Sequence, residues 1–127
     1  MSRSTVGATG EAAVARWLAG MGWSIVARNW RCRQGELDIV ALDGGVLVAV
    51  EVKVRRAGAF QPAEWAVTRS KRRRLLAALD EFVAAHPDHA QRLRRIDLVA
   101  LTLDRSGRVL RWTHVPAGVS EGEDGWT

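Results

Sequence analysis

Four charged residues interrupt two apolar segments near the middle of the sequence. Glu36 and Asp38 lie in the first segment, and Glu51 and Lys53 lie in the second. Because an unpaired charge is costly to bury, charges at such positions need a reason to be there. Carboxylates bind hard divalent cations such as Mg²⁺, and an ammonium group beside them can orient a water or stabilise charge on a phosphate oxygen. These residue types predict a metal site that hydrolyses a phosphate ester.

The spacing predicts how the four charges are placed. Segments 36–42 and 46–54 have the composition of two β-strands joined by a turn with two glycines, which favours a hairpin. With a two-residue turn, Asp38 faces Glu51, the other acid faces Lys53, and all four side chains leave the same side of the sheet. A bulge in the turn would shift this register by one residue. The alternative is two salt bridges on a solvated face, but strands that are apolar on both sides favour burial.

The rest of the pattern predicts a mixed α/β fold. Apolar residues recur at helical spacing in two segments, and strand-like segments rich in Val, Ile and Leu lie between and after them. The predicted order is αβββαββ, with helices flanking a mixed sheet. The expected elements are a helix at 6–21, strands at 23–29, 36–42 and 46–54, a helix at 68–86, and strands at 96–103 and 109–115, with connections at 31–34 and 55–62.

Length and composition limit the function classes. A chain of 127 residues forms one domain, expected over 1–116, with a flexible acidic tail at 117–127. No segment has the character of a membrane helix or a cleaved signal peptide, and the single cysteine, Cys32, cannot form an internal disulfide. The protein is therefore expected in the cytoplasm and not in a membrane. Its 19 Lys and Arg residues against 14 Asp and Glu, a formal net charge of +5, favour a polyanionic partner.

Basic residues concentrate after the second hairpin strand and at the start of the second predicted helix. Such clusters contact phosphates without reading base sequence, and the whole set favours nucleic acid over an ordinary solvated surface. The candidate nucleic-acid-binding residues are Arg55, Arg56, Arg69, Lys71, Arg72, Arg73 and Arg74.

Two charges lie on apolar helical stripes. Glu11 shares the stripe of the first helix and is expected to point at the sheet, although an exposed first-turn glutamate is the alternative. Lys71 shares the stripe of the second helix, so it points towards the cleft or extends its ammonium group to solvent.

The order of the charged motifs resembles that of a known nuclease superfamily. Glu36-Leu37-Asp38 followed by Glu51-Val52-Lys53 resembles the D…(E/D)xK arrangement of PD-(D/E)xK nucleases. Further motifs narrow the resemblance to the YraN-type family, uncharacterised bacterial proteins similar to archaeal Holliday junction resolvases. These motifs are Gly10-Glu11, Arg28-Asn29-Trp30, Gly35-Glu36-Leu37-Asp38, Lys71 with Arg74, and Arg95-Ile96-Asp97, and the resemblance covers residues 6–115.

This resemblance implies a restriction-endonuclease-like fold and a metal-dependent site. It implies that Asp38 and Glu51 bind Mg²⁺ or Mn²⁺, with the carbonyl of Val52 as a third ligand. Lys53 would act on the attacking water. Glu11 corresponds to a first-helix glutamate that extends the catalytic and metal site in resolvase-like members.

Three residues are auxiliary candidates. The aspartate of the motif follows Gly-Glu-Leu rather than proline, which leaves the role of Glu36 open. Gln61 belongs to a loop that follows the catalytic strand and could shape the cleft, and Arg28 belongs to one of the family motifs. The three histidines are expected to be structural or surface residues, and His114 has no partner nearby in the sequence.

Two functions stay open on the sequence. The first is a metal-dependent endonuclease that hydrolyses DNA phosphodiesters, on branched or flap DNA in repair or recombination. The second is a nucleic-acid-binding accessory module on the same fold with little or no turnover, since the resemblance does not establish cleavage. The partner is expected to be DNA, although the sequence does not distinguish DNA from RNA. A homodimer would suit the two-fold symmetry of a DNA junction, but no dimer face stands out.

Overall fold

The computed structural model describes residues 5–58 and 68–116, with side chains from Thr9 onward. The predicted element order αβββαββ is confirmed. Among the described residues, no helix is both long and apolar enough to cross a membrane. The elements are α1 (Thr5–Gly20), β1 (Ser24–Cys32), β2 (Gly35–Asp43), β3 (Val46–Arg56), α2 (Arg69–Ala85), a short 3₁₀ turn (Pro87–His89), β4 (Arg94–Leu103) and β5 (Val109–Val115).

The five strands form one sheet in the order β1-β2-β3-β4-β5. Neighbouring strands run antiparallel except β3 and β4, which run parallel because the chain crosses over through α2 between them. The two helices pack on opposite faces, since each belongs to a separate apolar cluster. This mixed sheet between helices is the predicted α/β architecture, and it agrees with the restriction-endonuclease-like fold that the motifs imply.

Strand β3 is apolar on both sides because it lies at the centre of the sheet. Leu47 and Ala49 belong to the α2 cluster, whereas Val48 and Val50 belong to the α1 cluster. Alternate residues of a strand point to opposite faces, so one strand contributes to both cores. Glu51, the next residue in this alternation, lies on the α2 face.

The absence of a side chain at Gly10 sets how closely α1 approaches β3. A Cβ placed on Gly10 would lie 2.5 Å from Cγ2 of Val54 and 3.5 Å from Cδ1 of Leu101. A β-branched side chain such as that of Val54 has few rotamers with which to relieve such a contact. Gly10 therefore lets the start of α1 lie against β3, and this contact places Glu11 against the sheet.

We expect Gly10→Ala to destabilise the protein by about 1–2 kcal/mol, because displacement of α1 outweighs the ~1 kcal/mol that alanine gains over glycine in a helix. Gly20→Ala in the same helix is the matched control, since a Cβ there meets nothing within 4 Å. Urea unfolding followed by circular dichroism measures both variants. A Gly10→Ala variant as stable as Gly20→Ala would contradict the close packing of α1 on β3.

Strand β1 is longer than predicted. The sequence predicts a connection at 31–34, but β1 continues until Cys32 pairs with Gly35, so only two residues remain for the turn into β2. The polar composition of this stretch reflects its position at the exposed edge of the sheet and not a loop.

Strand β3 also extends beyond its predicted end. It continues to Arg56 because it keeps its pairing with β4 as far as Leu103. The predicted loop at 55–62 therefore begins later than expected. Residues 59–62 of that loop, and the predicted tail at 117–127, lie outside the described residues.

Candidate functional site

The hairpin turn forms as predicted. Asp43 pairs with Val46, and the two glycines between them form the turn, with Gly44 at a φ of 62°. Glycine adopts this left-handed conformation at little cost. The ladder continues to Ile39 opposite Val50, so the predicted register is confirmed over this part of the hairpin.

The pairing of β2 with β3 ends at Ile39, one residue before Asp38. The two predicted pairs of charged residues are therefore wrong as ladder positions. Instead, the carboxylate of Asp38 turns towards β3, where its Oδ2 accepts a hydrogen bond from the N–H of Val52 at 2.9 Å. The side chain takes the place of a backbone acceptor in the ladder, and this bond fixes Asp38 beside the strand that carries Glu51.

The main chain of Val52 supplies a second polar group at the same point. In a strand, the N–H and C=O of one residue point to the same side. The carbonyl of Val52 therefore also faces β2 and the side of the strand where Asp38 lies. This orientation is the one that a metal-ligating carbonyl would need, so the assignment of Val52 as a ligand stays a prediction that the backbone geometry allows.

Glu51 lies on the α2 face of β3 and is 7% exposed. Its Oε2 lies 3.4 Å from Nζ of Lys71 and 4.0 Å from Nζ of Lys53. Two ammonium groups from different elements thus share one buried carboxylate. Of the two orientations predicted for Lys71, the structure has the one that points into the cleft. The sequence interpretation placed Lys53 opposite Glu36, whereas in the structure both Lys53 and Lys71 lie beside Glu51.

Burial and neighbouring carboxylates raise the pKa of Asp38 from 3.8 to about 7. Burial has the largest effect, and the charge of Glu51 follows. The N–H of Val52 opposes the shift, while Glu11 and Glu36 add to it. Glu11 is 5% exposed, which confirms that it points at the sheet. Four acids thus contribute to one negative potential that a bound cation would neutralise.

The donor set fits a hard divalent cation with few protein ligands. Mg²⁺ binds through one or two carboxylates together with waters and substrate phosphates. Asp38, Glu51 and the carbonyl of Val52 offer oxygen atoms of this kind. In the part of the chain that the structure describes, no three His, Cys, Asp or Glu side chains come together as a metal cage. The arrangement therefore suits Mg²⁺ or Mn²⁺ completed by water and substrate, and not a closed structural zinc site.

The three auxiliary candidates have different positions. Glu36 is half-buried and lines a cavity of about 30 Å³ together with Lys71 and Arg74, which connects it to the basic end of α2. Arg28 is exposed on β1, at the edge of the sheet. Gln61 lies outside the described residues.

Basic residues surround the start of α2, and no acid within residues 68–79 offsets them. α2 begins after Thr68, whose Oγ1 accepts a hydrogen bond from the N–H of Lys71 at 3.1 Å. The N-terminus of the helix adds a partial positive charge to that of the side chains. We call the basic residues at the start of α2, together with those at the end of β3, the basic surface. Its exposed members are Arg56, Arg69, Arg73 and Arg74, and its half-buried members are Arg55, Lys71 and Arg72.

A second charged cluster lies on the α1 face; Arg95 and Asp97 belong to one of the family motifs, but the sequence did not predict that they form a cluster. Asp97 is fully buried, accepts a hydrogen bond from Nε of Arg95 at 2.8 Å, and lies 2.9 Å from Nε2 of His114. Arg95 also donates to Oδ2 of Asp43 at 2.9 Å. His114 is therefore not the solitary residue that the sequence indicates. The signal that could have found the cluster is an acid inside an apolar segment, the same signal that identifies Glu51.

Several proteins of similar length resemble this chain over most of its sequence. The profile of "Uncharacterised protein family UPF0102" matches residues 10–101. A UPF0102 protein of Chloroflexus aurantiacus is 43% identical over 116 residues, which cover 91% of this chain and 93% of that protein. A UPF0102 protein of Beutenbergia cavernae is 46% identical over 106 residues, which cover 84% of this chain and 89% of that protein.

Among solved structures, a crystal structure of an fdxN element excision controlling factor protein from Anabaena variabilis is similar, with a TM-score of 0.35 and 17% sequence identity. The match covers 82% of this chain and 97% of that chain. The family profile includes the segments that carry Glu11, Asp38, Glu51 and Lys71. Because the profile spans most of the domain and relatives remain more than 40% identical over most of their length, the chain belongs to the uncharacterised protein family UPF0102, the family that its YraN-type motifs indicate.

Proposed function

We propose that the protein is a metal-dependent endonuclease that hydrolyses DNA phosphodiesters, with branched or flap DNA as its substrate class. The observation that carries the proposal is the carboxylate of Asp38, held on the main chain of Val52 beside a buried Glu51 that two lysines share. This unit adjoins the basic surface, whose charges would hold the DNA backbone.

Some residues of the site would bind a cation, and others would act on the attacking water or the phosphate. Asp38, Glu51 and the carbonyl of Val52 would hold Mg²⁺ or Mn²⁺, which supplies a polarised water and stabilises charge on the phosphate. Lys53 and Lys71 both face Glu51, so each ammonium group can orient the attacking water or donate to a phosphate oxygen.

A second candidate function is a nucleic-acid-binding accessory module with little or no turnover. One observation favours it. In the metal-free protein, a pKa of about 7 leaves part of the Asp38 population protonated at neutral pH. A protonated carboxyl is a poor cation ligand. The basic surface would serve this function unchanged.

Cleavage of synthetic nicked, flap and four-way DNA in Mg²⁺ or Mn²⁺ tests the proposal. We expect cleavage that falls at least about 100-fold in Asp38→Asn and in Lys53→Ala. Asp88→Asn, which changes an exposed acid in the 3₁₀ turn, should leave the rate unchanged. Cleavage that survives Asp38→Asn would contradict the assigned site. Calorimetric titration with Mn²⁺ separates the two candidates, because DNA binding without metal uptake would support the accessory module.

A further inference from the structure

Leu93 is the most exposed large apolar side chain in the described part of the chain, at 76%. It lies in the turn before β4, and the backbone of this turn is fixed. The carbonyl of Leu93 accepts a hydrogen bond from the N–H of Leu47 at 2.8 Å, and the N–H of Arg92 donates to the carbonyl of His89 at 3.1 Å. The side chain therefore projects from a well-anchored turn that does not bury it.

Two arginines flank this leucine. Nε of Arg92 donates to Nδ1 of His89 at 3.1 Å, which holds its guanidinium beside the turn. Nη1 of Arg94 lies 3.6 Å from Oδ1 of Asp80, whose side chain is 68% exposed. An exposed ion pair at this distance is weak, so a phosphate can replace Asp80 as the partner of Arg94. The turn thus presents an apolar tip between two cations.

The turn lies on the α2 face, the same face as Glu51. Leu93 and Arg94 line a hollow of about 250 Å³ together with residues of α2. In the parallel ladder, Arg94 lies beside Leu47 and Leu98 lies beside Glu51. Four residues along a strand span roughly 13 Å. The turn and Glu51 are therefore close enough, at roughly 13 Å along the sheet, to contact one DNA molecule.

We infer that the turn formed by Arg92, Leu93 and Arg94 is a wedge for duplex DNA. Leu93 enters an opened base step and the two arginines bind the adjoining phosphates, roughly 13 Å along the sheet from Glu51. This inference rests on the proposed function. Leucine side chains are among those that enter base steps, and opening a step costs least where stacking is already broken. The wedge therefore selects nicked, flap or branched DNA over a continuous duplex.

Fluorescence of 2-aminopurine, which rises when the base unstacks, tests the wedge. Flap DNAs that carry the probe at successive positions from the branch point are titrated with the full chain in EDTA. We expect a rise of at least about twofold at one position with the wild type, and loss of that rise in Leu93→Ala. Leu110→Ala, which removes another exposed leucine on β5, is the matched control and should keep the rise.

The outcomes separate the wedge from the proposed function. A rise that persists in Leu93→Ala would overturn the wedge and leave the proposed function untouched, because cleavage does not depend on Leu93. Failure of the wild type to bind any of these DNAs would overturn the wedge, and cleavage of the same DNAs in Mn²⁺ decides the proposed function separately. Sedimentation without DNA adds a third outcome: a wild-type dimer that Leu93→Ala dissociates would assign the turn to self-association and overturn the wedge.

Discussion

Asparagine in place of Asp38 is expected to stabilise the metal-free protein at pH 8 by about 2–4 kcal/mol. Burial, and then the charge of Glu51, raise the pKa of Asp38 from 3.8 to about 7. At a pH between these two pKa values, the Asp38 carboxyl holds a proton in the folded protein and has released it in the unfolded chain. The stability of the wild type therefore falls as the pH rises from about 4 to 7, and it stays low above the folded pKa.

The Asp38→Asn variant removes this charge and keeps an oxygen that can accept the hydrogen bond of Val52. Its gain in stability should appear at pH 8 and disappear near pH 4. Urea unfolding in EDTA at both pH values measures the gain, and Asp88→Asn controls for the loss of an exposed acid. An Asp38→Asn variant that is no more stable than the wild type at pH 8 would contradict a buried charge at this position.

The same variant should lose the response to metal. Wild-type protein should gain about 2.7 kcal/mol when free Mn²⁺ is 100 times its dissociation constant, because only the folded state holds the site. Asp38→Asn should gain little. Unfolding with and without Mn²⁺ at pH 8 gives both values. A response that persists in the variant would place the ion elsewhere in the protein.

Alanine in place of Asp97 is expected to cost about 3–5 kcal/mol of folding stability. Asp97 is fully buried and binds both Arg95 and His114. Its removal leaves Arg95 and His114 without their buried carboxylate. Arg95 keeps its hydrogen bond to Asp43, but His114 loses its hydrogen-bond partner. The loss should therefore be among the largest that a single substitution produces here.

An exposed ion pair provides the control for this prediction. Asp80→Ala removes the partner of Arg94 at 3.6 Å and should cost about 0.5 kcal/mol or less. Urea unfolding measures both variants. If Asp97→Ala does not fold, Asp97→Asn keeps hydrogen-bonding atoms and should show a loss of about 2 kcal/mol. Equal losses for the Asp97 and Asp80 variants would contradict the buried network.

Features that depend on neighbouring residues were predictable from the sequence. A glycine turn of two residues determines the hairpin register as far as Ile39. Glu11 lies on an apolar helical stripe and points inward as that position suggests, whereas the stripe left two orientations open for Lys71 and the structure has the inward one. In each case the residues that decide the outcome lie within a few positions of one another, so the pattern is visible without the fold.

Features that depend on distant strands were not predictable. The hydrogen bond between Asp38 and Val52 forms where the pairing of β2 with β3 ends. In the same part of the sheet, Asn29 of β1 has a φ of 54°. Spacing along the chain does not record where this ladder ends. Asp97 meets His114 only because β5 pairs with β4.

β3 carries Glu51, Lys53 and the main chain of Val52, yet one of its edges is covered only by β4, which follows α2 in the sequence. The β2–β3 hairpin can form early because its contacts are local. The parallel pair forms more slowly because it must first close the whole segment from Arg56 to Arg94. A nascent chain therefore exposes an open apolar strand edge until β4 has been synthesised. The strand that carries the proposed centre is therefore paired on both edges only after almost the entire domain has left the ribosome.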